Sequence, residues 1–298
     1  MKNNQDVQEA LVIASYGNQC KIECHNNTII TAKSLKNTGK PLCGDKVKFK
    51  TENNEHVITE ILPRTTVLSR LNNLNPKPKQ IASNIDQMII VLSANDDIKY
   101  GLIDRYLVAA EFSNFKTAIV LNKIDTITNE QLDDLKMNMQ MYQDIQIPLF
   151  YISAKKNTAI PTLLSITDNK TNIVVGQSGV GKSSIVNAIL PNMPAITNAI
   201  SESSNKGKHT TTTAYLYKIP NNGKLIDSPG IREFGLWNIE KEALSKGFTD
   251  IREISENCKF RNCLHQSEPG CAVIKAVEQG KINNKRYQSY LSIFESLD

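Results

Sequence analysis

The sequence predicts a chain of three parts: a small N-terminal β-barrel, a central α/β domain, and a mainly helical C-terminal segment. Three observations carry this. Five short strand patterns separated by Asn- and Gly-rich turns fill residues 1–65, as in barrels of the oligonucleotide-binding (OB) type. Apolar strands alternate with helical patterns through residues 66–235, which implies a parallel sheet covered on both faces. Residues 236–298 read as helices interrupted by a Cys/His cluster.

In the first part, Ala10–Tyr16 and Gln19–Cys24 flank Gly17-Asn18, a two-residue hairpin signal. Thr28–Leu35, Lys46–Lys50 and Val57–Leu62 complete five strands; the pattern leaves OB and SH3-like barrels open. Arg64–Gln80 reads as a link, with Asn75-Pro76-Lys77-Pro78-Lys79 as a solvated basic loop. Strands follow at Ile85–Ser93, Thr117–Leu121, Pro148–Ile152 and Asn172–Val175, with helices at Leu102–Glu111, Glu130–Tyr142 and Ala159–Ile166. Tyr215–Ile219 and Lys224–Ile226, joined through Asn221-Asn222-Gly223, form an added hairpin. The closing helices are Glu240–Gly247, Ala272–Glu278 and Asn283–Ile293.

Composition bounds the function. With 40% hydrophobic and 22% charged residues in 298, the chain can build packed cores and is not a disordered one. The longest apolar runs, Met88–Leu92 and Tyr106–Ala110, are five residues. A membrane helix needs about 20, so none is expected. The polar start and six cysteines in so long a chain fit a cytoplasmic protein with reduced thiols. The net charge of +5 divides as +2, +3 and 0 over the three parts, so no basic tail points to nucleic acid.

Chemistry enters with Gly176-Gln177-Ser178-Gly179-Val180-Gly181-Lys182-Ser183, continued by Ser184. A strand leads in and a helix leads out, the setting of a phosphate-binding loop. Its glycines let backbone N–H groups point at phosphate, and the helix N-terminus adds partial positive charge. Lys182 can reach the β/γ-phosphates, and Ser183 can ligate Mg²⁺. Asp227-Ser228-Pro229-Gly230 follows a strand. A carboxylate there can hold Mg²⁺ through water, and Gly230 permits a close approach to a γ-phosphate. Asn122-Lys123-Ile124-Asp125 closes another strand. The Asp125 carboxylate can accept two hydrogen bonds from the guanine edge, and adenine has no matching donor pair, so GTP is favoured over ATP. Ser153-Ala154-Lys155 ends the next strand, where a backbone N–H can meet guanine O6. All four motifs lie at C-terminal strand ends, where open α/β sheets bind ligands. The order is unusual, because the two guanine-side motifs precede the phosphate loop.

Cys258, Cys263, His265 and Cys271 make the spacing C-x₄-C-x-H-x₅-C, a donor set suited to a closed tetrahedral Zn²⁺ site. A terminal segment with little core of its own gains from a metal. Cys20, Cys24 and Cys43 read as core thiols.

Over nearly its whole length the chain resembles the circularly permuted GTPases, specifically the ribosome small-subunit-dependent GTPase A family (RsgA, also called YjeQ). The resemblance rests on the permuted motif order, Leu62-Pro63-Arg64 after the barrel, Gly207-Lys208-His209-Thr210-Thr211-Thr212, and the terminal cysteine cluster. It implies a P-loop GTPase that binds GTP/GDP with Mg²⁺ and carries one structural Zn²⁺. It implies partnership with the small (30S) ribosomal subunit and its rRNA, late maturation of that subunit, and hydrolysis that the subunit stimulates. A cytoplasmic monomer is expected. Gly207–Thr212 stands where switch I belongs, so Thr210 or Thr211 closes over Mg²⁺. Ile231 follows Gly230 where Ras-like enzymes carry a water-orienting Gln. The resemblance offers His209 for that task, with Lys182 and Thr211 as the other catalytic groups. The rival reading is a nucleotide-gated rRNA-binding assembly module whose hydrolysis is incidental, favoured by Ile231.

Overall fold

The computed structural model describes residues 7–72, 75–190, 214–227 and 239–297, with backbone alone from 70 to 78. The first five strands are β1 (Gln8–Tyr16), β2 (Gln19–Cys24), β3 (Ile29–Ser34), β4 (Lys46–Glu52) and β5 (Glu55–Ile61). They pair in the order β1-β2-β3-β5-β4, and β4 returns to β1, closing a barrel of the OB arrangement. Alternate residues face inward: Ala10, Val12, Ile22, Val47, Phe49 and Ile58 form its core with Cys20. The tight reversals fall where side chains tolerate a left-handed backbone, at Gly17 (φ 72°) and at Asn53 and Asn54 (φ 49° and 63°).

The expected link after the barrel is instead a two-stranded ribbon, β6 (Val67–Asn72) and β7 (Asn75–Ser83). Pro76 and Pro78 argued against a strand, because proline donates nothing to a ladder. In a ribbon of two strands every position is an edge, and the pairing shifts register twice, so alternate prolines are tolerated. A buried carboxylate fastens ribbon to barrel. Asp45 accepts from Arg64 Nε and Nη2 (both 2.8 Å), Ser83 Oγ (2.5 Å) and the Leu42 N–H (2.7 Å).

The central strands are β8 (Gln87–Ser93), β9 (Lys116–Asn122), β10 (Leu149–Tyr151), β11 (Thr171–Val175), β12 (Tyr215–Lys218) and β13 (Lys224–Asp227). Their order is β10-β9-β8-β11-β13-β12, parallel throughout except for β12, which pairs with β1 through Ala14 and Tyr215 and so joins sheet to barrel. Every residue of β8 is buried, as a strand covered on both faces must be. The intervening helices are α1 (Tyr100–Phe112), α2 (Asn129–Asp144), α3 (Ile160–Ser165) and α4 (Lys182–Ile189). One face carries α1 and α2; the other carries α3 and α4. A capping box between Thr128 and Gln131 starts α2.

A 3₁₀ turn (Lys241–Gly247) and helices α5 (Thr249–Ser255), α6 (Ala272–Glu278) and α7 (Asn284–Glu295) follow. Sequence patterning missed α5, which is only two turns long. These helices do not form a separate core: Phe248, Ile251, Val273, Tyr290 and Ile293 are continuous with the α1 face of the sheet. Arg286 of α7, 2% exposed, pins them there, donating to Asp104 of α1 (2.6 Å) and, through two nitrogens, to Asp250 of α5 (3.0 and 2.7 Å). No helix among the described residues is long and apolar enough to cross a membrane.

Candidate functional site

Parallel register brings Asn122–Asp125, Ser153–Lys155, the loop from Gly176 and Asp227 to the same, C-terminal end of the strands. β8 pairs with β9 up to Ser93–Asn122, and β10 pairs with β9 up to Tyr151–Leu121, so Asn122–Asp125 and Ser153–Lys155 leave adjacent strands side by side. β11 runs from Thr171 to Val175 and hands over to Gly176. Ile226 lies opposite Ile173, which sets Asp227 beside the strand that leads into the phosphate loop.

The loop has the backbone its glycines allow. Gly176 (φ 143°), Gly179 (φ 87°) and Gly181 (φ 93°) take conformations disfavoured for other residues. A Cβ on Gly176 would fall 2.3 Å from the Val91 carbonyl oxygen, and one on Gly181 would fall 2.2 Å from Asn122 Nδ2. Lys182 opens α4, and its ammonium donates to the carbonyls of Gly176 (2.8 Å) and Gln177 (2.6 Å), so it arches back over the loop. Ser183 and Ser184 follow in the first turn of α4, and Val180 is buried beneath it.

Asn122, 2% exposed, ties the motifs together. Its Nδ2 donates to the Val180 carbonyl (3.0 Å), and its Oδ1 accepts from the Ala154 N–H (3.0 Å). The sequence marks Asn122 only as the first letter of a motif; no pattern signals that one amide bonds to the two others. Lys123 adopts a left-handed backbone (φ 68°), and Ile124 to Thr126 form a single 3₁₀ turn. That turn presents Asp125, whose Oδ1 accepts from Ser153 Oγ (2.6 Å), while the Lys156 N–H donates to Ser153 Oγ (3.1 Å). The Ser153 hydroxyl, more than any other group, holds the Asp125 carboxyl below its ordinary range, so it stays ionised as an acceptor. His209, Thr210, Thr211, Gly230 and Ile231 lie outside the described residues.

The second constellation is the cysteine cluster. The ligand atoms of Cys258, Cys263, His265 and Cys271 lie within 4.8 Å of one another. Cys258 Sγ and Cys271 Sγ are 3.9 Å apart, and His265 Nδ1 is 3.6 and 3.4 Å from them. Tetrahedral zinc sets sulfurs about 3.8 Å apart and sulfur to nitrogen about 3.6 Å, from bonds of about 2.3 and 2.1 Å. The residues therefore fit zinc. Backbone N–H groups of Ala272 and Ile274 donate to Cys258 Sγ and Cys271 Sγ (3.3 and 3.5 Å), the support a thiolate wants. Tyr287 and Tyr290 hydroxyls donate to the His265 and Leu264 carbonyls (2.7 and 2.9 Å), anchoring the cluster on α7. Cys20 and Cys43 are buried in cores, as expected of packing thiols.

Comparison with known proteins gives the same picture. The family model described as RsgA GTPase matches residues 61–237. The chain belongs to the RsgA GTPase family. It is 41% identical, over 97% of its length and 85% of the relative's, to the small ribosomal subunit biogenesis GTPase RsgA of Haemophilus influenzae strain PittGG. The protein of the same name from Actinobacillus pleuropneumoniae serotype 5b is 38% identical over 98% of this chain and 86% of its own. Among solved structures, YjeQ from Thermotoga maritima matches with a TM-score of 0.79 at 29% identity, covering 98% of this chain and 99% of that one. YloQ, described as a circularly permuted GTPase, matches with a TM-score of 0.76 at 29% identity, covering 99% and 96%. This RsgA-family chain is thus a GTP-hydrolysing enzyme, with the guanine nucleotide and Mg²⁺ requirement its family implies.

Proposed function

We propose that this GTPase binds the small (30S) ribosomal subunit, contacts its rRNA and assists its late maturation, with hydrolysis stimulated by the subunit. The observation that carries the reading is the reach of the likeness. Identity to proteins named small ribosomal subunit biogenesis GTPase spans 97% of the chain, covering barrel and cysteine cluster as well as the nucleotide-binding part. We take the working units as a barrel over residues 1–65, a permuted GTPase domain over 66–235 and a zinc-binding helical domain over 236–298. The chain works as a monomer in the cytoplasm, where ribosomes are assembled.

In this reading Asp125 takes the guanine edge, the stem of Lys123 covers the base, and a backbone N–H of the Ser153–Lys155 stretch meets guanine O6. The N–H groups from Gly176 to Ser184 cradle the phosphates, and Lys182 swings from its loop carbonyls to the β/γ-phosphates. Ser183 and Asp227 would hold Mg²⁺, which supplies positive charge against the phosphate oxygens. Gly230 and either Thr210 or Thr211 report the γ-phosphate, and His209 positions the attacking water because Ile231 cannot. Cys258, Cys263, His265 and Cys271 hold one structural Zn²⁺: all four tetrahedral positions come from protein. Co-sedimentation with purified subunits tests the partner. With a non-hydrolysable GTP analogue the chain should pellet with small and not large subunits; equal binding to both, or to neither, overturns the reading. His209→Ala should abolish stimulated turnover while leaving GDP affinity in place.

A further inference from the structure

Among the described strands, β12 alone pairs with both the GTPase sheet and the barrel. It pairs with β13 from Tyr215–Asp227 to Lys218–Lys224, and with β1 at Ala14–Tyr215. Two segments expected to follow the bound nucleotide adjoin it. Tyr215 comes three positions after Thr212, the end of the expected switch I, and stands directly opposite Asp227. A shift in either segment pulls on β12, and β12 pulls on the barrel.

The barrel is held tightly on one side only. On the ribbon side, Ile13 and Cys43 join the core shared with the sheet, and Asn84 Nδ2 donates to the Gly44 carbonyl (2.9 Å). Gly44 (φ 95°) lies so near the ribbon that a Cβ there would fall 2.1 Å from the Ser83 carbonyl oxygen. On the other side β1 and β12 part after their single pair. The Val12 N–H and carbonyl are already taken by the Asp45 carbonyl and the Gly44 N–H (2.8 Å each). A cleft of about 650 Å³ opens there, with Leu11, Gly44 and Lys46 among its barrel residues and Thr171, Lys218 and Lys224 on the sheet side. A close-packed seam resists rotation; a hollow one leaves room for it.

Lys218 of β12 spans this cleft. Its ammonium donates to Asn27 Oδ1 (2.7 Å) in the β2–β3 turn and pairs with Glu23 Oε2 of β2 (3.0 Å). The turn is firm: Asn27 has a left-handed backbone (φ 63°), and its N–H donates to the Cys24 carbonyl (2.9 Å). Lys224 stands opposite Lys218 on β13, and repulsion between like charges favours turning the Lys218 ammonium towards the barrel. The Lys218 side chain is 51% exposed, so solvent screens the pair and it opens at low cost. Glu23, whose side chain is 12% exposed, then still has Lys46 on its own face, since both are register partners of Leu11. The contact thus has two arrangements within reach, as a switch requires.

We propose that Lys218 is a latch between the GTPase sheet and the barrel. Nucleotide state sets the position of β12, β12 sets whether Lys218 engages Glu23 and Asn27, and the barrel pivots about its Ile13–Gly44 side accordingly. The inference rests on the reading that Gly207–Thr212 and Asp227 respond to nucleotide, and gives that response a route into the barrel.

Hydrogen exchange on the full chain, loaded with GDP or with a non-hydrolysable GTP analogue, tests it. In the wild type, exchange in β2 and its turn (residues 19–28) should differ between the two nucleotides by at least about fivefold, the lower end of usual coupling between sites. Lys218→Met and Glu23→Gln should each lose that difference, and together do no more than either alone. Lys218→Arg should keep it. Coupling is reciprocal, so Lys218→Met should also change the ratio of GDP to GTP-analogue affinity. A contact that only stabilises the fold would speed exchange equally with both nucleotides and leave that ratio alone; this result overturns the latch. Residues 215–227 serve as the internal check. If they respond to nucleotide in the wild type while residues 19–28 do not, the latch falls and the nucleotide reading stands. If neither stretch responds, the nucleotide reading falls with it.

Discussion

Replacing Asn122 by alanine should both destabilise the chain and loosen its grip on nucleotide. The side chain is 2% exposed and makes two hydrogen bonds of 3.0 Å, one to the Val180 carbonyl and one from the Ala154 N–H. Alanine leaves both backbone groups without their partner. A buried group so orphaned costs about 1–3 kcal/mol, so the pair costs about 2–6 kcal/mol, with the lower half expected because the nucleotide mouth admits water. Asn122→Asp separates the two bonds. It keeps an acceptor for the Ala154 N–H and sets a carboxylate oxygen against the Val180 carbonyl, so the phosphate loop suffers more than the guanine side. Urea unfolding without nucleotide reads the stability, and titration with a fluorescent GDP analogue reads the grip. GDP affinity should fall at least about tenfold, the equivalent of about 1.4 kcal/mol. Both variants staying within about 0.5 kcal/mol of wild type in stability, with GDP affinity intact, would refute the claim that Asn122 holds the motifs in place.

Other outcomes follow from the same geometry. Arg286→Met should cost about 3–5 kcal/mol, because it strands the buried Asp104 carboxylate and the partly buried Asp250. Burial pushes the Asp104 carboxyl up and Arg286 opposes it, so without the guanidinium the folded state binds that proton more tightly than the unfolded chain does. The variant's loss should therefore be smaller at pH 5 than at pH 8, and equal losses would argue against a buried charge. Metal analysis of the wild type should find one zinc per chain and Cys263→Ser should lose it; carefully purified wild type without zinc would overturn the assignment. Asp125→Asn should shift preference from guanosine to xanthosine nucleotides; unchanged GTP selectivity would undermine its proposed role at the base.

The parts legible from sequence are those whose chemistry is local. The phosphate loop, Asn122–Asp125, Ser153–Lys155 and the cysteine cluster are each written within a few consecutive residues, and each stands at the strand end or loop expected of it. Asn-rich reversals at Asn53-Asn54 and Asn221-Asn222 were equally readable, because left-handed backbone is a property of single residues. What the sequence hid is carried by distant partners. Arg286 and Asp104 are 182 positions apart, and nothing in either segment announces the pair. The same holds for the C-terminal helices, which seemed to need a metal in place of a core and in fact share the core of α1. The ribbon of β6 and β7 escaped because its two prolines mimic a loop, and its partner strand is visible only once paired.

In the proposed function, GTP hydrolysis answers to the small ribosomal subunit. Steady-state GTP turnover by the purified chain, measured alone, with small subunits and with large subunits, tests it most directly. Turnover should be slow alone, rise strongly with small subunits and stay unchanged with large ones. Turnover that is indifferent to small subunits would contradict it.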